Sequence, residues 1–76
     1  MQSVEKLREE ASALAAGGDA FELWIPETLT MRGDVVRNDV AMAVLLDTIL
    51  GLSFMPEGLT AGVDGATYRY RRVDLA

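Results

Sequence analysis

Histidine and cysteine are both absent from these 76 residues, which removes the side chains that most often act as base, nucleophile or transition-metal ligand near neutral pH. What remains for chemistry is carboxylate, hydroxyl, phenol and guanidinium. Ser3 and Ser53 have no histidine to activate them, and the sole lysine, Lys6, sits in the first helical stretch, so serine catalysis lacks its base. Paired carboxylates could divide acid and base work, and Asp34, Asp39 and Asp47 bracket one apolar stretch. Asp34 and Asp39 are explained as helix-start residues. Asp47 lies amid Val40, Ala43, Val44 and Leu50, where a buried charge needs a partner. It reads first as a partly exposed or arginine-paired structural residue, and next as a polar contact between copies of the chain.

The glycines do not form a phosphate loop. Gly17-Gly18 follows a helical stretch, and Gly58, Gly62 and Gly65 surround a hairpin, so neither the Walker pattern nor the dinucleotide fingerprint is present. The acidic stretch 34–39 lacks the ligand series of a calcium loop. The sequence therefore predicts no cofactor, no metal and no enzyme. Tyr68-Arg69-Tyr70-Arg71-Arg72 resembles the aromatic and basic interleaving that holds single-stranded nucleic acid, but strand alternation sends the tyrosines to one face and Arg69 and Arg71 to the other. With a net charge of −5, from 12 acidic and 7 basic residues, nucleic acid is disfavoured. Arg69, Arg71 and Arg72 read as a solvated or ion-paired sheet face, and as contacts for an anionic partner. Trp24 alternates opposite Phe21 and shares its face with Ala20 and Glu22, where a tryptophan serves either as a partner anchor or as a cover for a loop.

Six elements must position these groups. Ser3 as N-cap and Val4, Leu7, Ala11 and Leu14 at helical spacing predict a helix that Gly17-Gly18 stops. Phe21, Leu23 and Ile25, then Leu29 and Met31, alternate as two strands joined at Ile25-Pro26-Glu27-Thr28. Gly33-Asp34 breaks that pattern, and Asn38 or Asp34 caps a second helix to about Leu50, with Gly51 as its left-handed stop. Pro56-Glu57-Gly58 reads as a loop. Asp64-Gly65 reads as a two-residue hairpin turn, placing Leu59, Ala61, Val63, Ala66, Tyr68 and Tyr70 on an apolar face. Together these predict a single α+β domain over 1–76, with two helices packed on one face of a four-stranded antiparallel sheet in the order α-β-β-α-β-β.

Half of the residues are hydrophobic, yet a chain of this size buries only about 60% of its unfolded surface. The second helix sharpens the mismatch, because Met42, Leu45, Leu46 and Ile49 form one stripe while Val40, Ala43, Val44 and Asp47 lie opposite. Such a helix calls for cover on both sides. The sequence thus predicts a self-associating structural or protein-interaction module, a homodimer, with Trp24, Val40, Ala43, Val44 and Asp47 as interface residues. The alternative is a small-ligand binder with an apolar pocket between the second helix and the C-terminal hairpin. Met1 opens directly into a charged stretch, and the longest apolar run, Val40–Leu46, is far shorter than the roughly 20 residues of a membrane span. A cytoplasmic protein with no leader and no membrane contact is expected.

Overall fold

In the computed structural model, which describes residues 2–73, the chain forms α1 (Val4–Ala15), β1 (Ala20–Pro26), β2 (Thr28–Met31), β3 (Asp34–Arg37), α2 (Asn38–Gly51), β4 (Phe54–Ala61) and β5 (Gly65–Arg72). Met1 and Asp74, the latter the acidic member of the arginine-rich tail, lie outside the described residues. Two helices and antiparallel sheets make the fold α+β. The strands divide into a three-stranded sheet ordered β1-β5-β4 and a separate β2-β3 hairpin. This corrects the expected single four-stranded sheet and the order α-β-β-α-β-β.

The difference begins at Arg32-Gly33. Both residues have positive φ, 54° and 86°, and they form the two-residue turn that closes Met31 onto Asp34. Asp34-Val35-Val36-Arg37 is therefore a strand rather than a helix lead, and the Arg32 N–H donates to Glu5 Oε1 at 3.1 Å, tying the turn to α1. With β2 paired locally to β3, β1 takes the distant strand β5 as its partner, from Ala20 opposite Arg71 to Pro26 opposite Gly65. Only Glu27 separates β1 from β2, too little chain to reverse direction into a hairpin, whereas Arg32-Gly33 supplies the two-residue turn that pairs β2 with β3.

The Ser3 hydroxyl accepts the Lys6 N–H at 3.1 Å, capping α1 as its sequence implies. The buried stripe of α1 is Val4, Leu7, Ala11 and Ala15, with Leu14 turned outward. α2 departs at both ends from expectation. Its N-cap is Arg37, with no side-chain hydrogen bond in the role foreseen for Asn38 or Asp34, and it runs through Gly51. The left-handed residue that follows is Ser53, with φ 66°. Ala41, Leu45 and Ile49 of α2 meet α1 and the inner faces of β1, β4 and β5 in one core that also takes Leu29 from the hairpin. Among the described residues, no helix is long and apolar enough to cross a membrane.

Two details shape the sheet's outer strand. Pro56-Glu57-Gly58 is a bulge within β4 rather than a loop, because the register steps between Pro56 opposite Tyr70 and Gly58 opposite Arg69, leaving Glu57 extra. The hairpin turn is Val63-Asp64, one residue earlier than the sequence implies, with the Gly62 N–H donating to the Gly65 carbonyl at 2.8 Å. Gly65 is used for close approach instead: a Cβ there would strike the Ile25 carbonyl oxygen and lie 2.8 Å from Pro26 Cα. The shift preserves the facing of the strands, so Leu59 and Ala61 still share a face with Ala66 and Tyr68, while Val63 moves into the turn.

Candidate functional site

The face of the three-stranded sheet away from the core is a polar ladder. Cross-strand rows place Arg71 beside Ala20, Arg69 beside Glu22 and Thr67 beside Trp24. Arg69 Nη1 donates to Thr60 Oγ1 at 2.7 Å, and its guanidinium occupies the space that a side chain on residue 58 would fill, 2.8 Å from the position of a Cβ. Arg71 Nε donates to Glu57 Oε1 at 2.9 Å, so the bulge residue serves as its counter-ion. Glu22, Glu57 and Arg69 border an open cleft of about 280 Å³. Trp24 stands on this face 51% exposed. The face therefore carries guanidinium and carboxylate groups in alternation rather than an unbroken basic track.

Arg72 is elsewhere. Strand alternation turns it to the core side, where its Nη2 donates to the Ala15 and Gly18 carbonyls, each at 2.9 Å, and its Nε to Asp19 Oδ1 at 3.1 Å. Its guanidinium carbon lies 4.7 Å from the centre of the Phe54 ring. The Ala15 carbonyl lies in the last turn of α1, where helices leave acceptors without partners, and Gly18 lies in the connection that follows, so Arg72 clamps the α1–β1 connection to the end of β5. The Asp19 carboxylate is largely in water and adds little; hydrogen bonds from a charged donor to carbonyls are worth about 1.5–3 kcal/mol in general. Arg72→Met is expected to lower unfolding stability by about 2 kcal/mol on that scale, read as a shift of the urea midpoint. An unchanged midpoint would show that the clamp is idle.

The α2 residues separate as well. Val40, Ala43 and Asp47 lie on the arc facing away from the core, joined by Leu50, whereas Val44 is half-buried beside Met31 and Arg8. Val40 is 44% and Leu50 55% exposed. Asp47 is therefore an exposed residue among apolar ones. Trp24 and this arc are on opposite sides of the molecule, since the sheet lies between them. Arg69 and Arg71 share a face with Trp24, not with the α2 residues.

Alternation alone puts Leu59, Ala61 and Val63 on the core-facing side of their hairpin. Leu59 and Ala61 do point to the helix side, yet Leu59 is 54% exposed because neither helix extends over this end of the outer strand, and Val63, displaced into the turn, is 96% exposed. No sequence signal states which strand is outermost; having only two helices to cover the sheet was the available hint. Between α2 and the C-terminal hairpin the interior is filled by Leu45, Ile49 and Tyr70, and the Tyr70 hydroxyl donates to Met42 Sδ at 3.0 Å. Tyr68 instead lines an open groove of about 360 Å³ with Arg37, Asn38, Leu59 and Ala61. No protein-family model, no curated protein and no solved structure matches the chain.

Proposed function

We propose that the chain is a self-associating protein-interaction module, a homodimer, rather than an enzyme. The observation that carries this reading is that large apolar side chains are left in water on two neighbouring elements: Val40 at 44% and Leu50 at 55% exposure on the outer arc of α2, and Leu59 at 54% on β4. A single exposed hydrophobic is ordinary, whereas several large ones left in water on α2 and β4 of so small a chain mark an interaction surface. Isologous pairing covers such a surface on both chains at once.

Light scattering on the size-exclusion peak tests this. The expected mass is twice the 8.2 kDa of one chain, with dissociation on dilution. A single-chain mass at every concentration up to the high micromolar range overturns the reading.

A further inference from the structure

We infer that the second copy docks edge to edge on β4, antiparallel about a twofold axis at Thr60, joining the two three-stranded sheets into one of six. The inference rests on the self-association reading above and names the surface and register through which it occurs.

Backbone parity sets the register. The Gly62–Gly65 bond fixes which β4 residues face β5: in an antiparallel ladder the hydrogen-bonded pairs recur every second residue, so Gly58, Thr60 and Gly62 turn their backbone groups toward β5. Leu59 and Ala61 turn theirs to the open edge. The ladder to β5 therefore leaves the N–H and C=O of both residues unused, and among the described residues no hydrogen bond outside the helices and ladders reaches them. The earlier half of this edge is blunted, since Pro56 has no N–H to offer and Glu57 bulges from the ladder. The opposite edge of the sheet, β1, carries Glu22 and ends on Pro26. The Leu59–Ala61 half of β4 carries neither device.

An axis at Thr60 pairs Leu59 with the partner's Ala61, and Ala61 with the partner's Leu59. Each is a hydrogen-bonded antiparallel pair, so the four unused N–H and C=O groups of each chain all find partners. Side-chain sizes agree. The exposed Leu59 of each chain falls opposite the partner's small Ala61, which borders the open groove beneath Arg37 and Asn38. Large against small across directly opposed positions is how facing strands interdigitate. Gly58 falls opposite the partner's Gly62, and no two like charges are directly opposed over 58–62.

The chain has no cysteine, so one introduced thiol reports its own neighbours. Thr60 meets the partner's Thr60 as a non-hydrogen-bonded pair, with Cα atoms about 4.5 Å apart, inside the roughly 4.4–6.8 Å that a disulfide spans. Thr60→Cys, oxidised in its native state, is expected to run mostly as a covalent dimer on a denaturing gel, while Ser12→Cys on the exposed side of α1 stays mostly single. Ala61→Pro removes an outward N–H without breaking the ladder to β5, and is expected to abolish the dimer mass with circular dichroism unchanged. A native dimer by light scattering that fails to cross-link through Thr60→Cys, or that survives Ala61→Pro, overturns the β4 register and leaves self-association standing. A native chain of single mass overturns both.

Discussion

Tyr70→Ala is expected to remove a large part of the chain's stability at 25 °C, read as a steep fall in the urea midpoint. Tyr70 lies on β5, the central strand, and is fully buried, its ring 5.1 Å from that of Phe21. Removing a buried aromatic ring costs about 3–5 kcal/mol, against the roughly 4–11 kcal/mol that a chain of this length commands. Tyr70→Phe keeps the ring and gives up a hydrogen bond to a thioether, a weak acceptor, so its cost at neutral pH is expected to stay below about 1 kcal/mol. The two variants differ again in alkali. Burial, with a smaller contribution from Tyr68, holds the Tyr70 phenol well above its ordinary pKa of 10.0. A group whose folded pKa is raised contributes stability that is complete below its unfolded pKa and declines as pH climbs beyond it. The native chain is therefore expected to lose up to about 1.4 kcal/mol per pH unit above pH 10 through this one group. Urea titrations of Tyr70→Phe over the same range should lack that decline; an identical slope would assign the alkaline loss to other groups.

Gly65→Ala is expected to be the most damaging glycine substitution, at about 3 kcal/mol, the upper end of what overpacking costs. The added methyl would meet backbone on both sides, the Ile25 carbonyl and Pro26 Cα, so relief requires the start of β5 to move off the end of β1. Gly51→Ala is the matched control. Gly51 is the last residue of α2, its φ is not positive, and nothing lies within 4 Å of an added Cβ. Alanine there is expected to be neutral or to stabilise by about 0.5–1 kcal/mol, the helix preference over glycine. Denaturant midpoints of the two variants check both. A destabilised Gly51→Ala would restore that residue as the left-handed stop, and a silent Gly65→Ala would remove the close approach as the reason for a glycine.

Local order was readable wherever neighbours along the chain decide it. Ser3 caps α1 because its hydroxyl needs only the N–H three residues on, and Phe21, Leu23 and Ile25 face the core because a strand alternates whatever it pairs with. The separation of Tyr68 and Tyr70 from Arg69 and Arg71 follows from the same period of two. Partnership was not readable. Arg32-Gly33 forms the β2–β3 turn although its residues do not carry the Asn-Gly signature of such turns, and that one closure redirects β1 to β5 and leaves β4 at the margin.

Site residues divided along the same line. That α2 has more apolar circumference than one packed side can cover is a property of its composition, and Val40 and Ala43 are outward for that reason. Which arginine meets solvent and which meets carbonyls depends on what lies across the sheet, and it sets Arg72 on the end of α1 while Arg69 and Arg71 remain on the open face. The exposure of Leu59 and Ala61 depends on how far two helices reach over three strands. Periodicity records which way a side chain points; the packing of distant segments determines what, if anything, it points at.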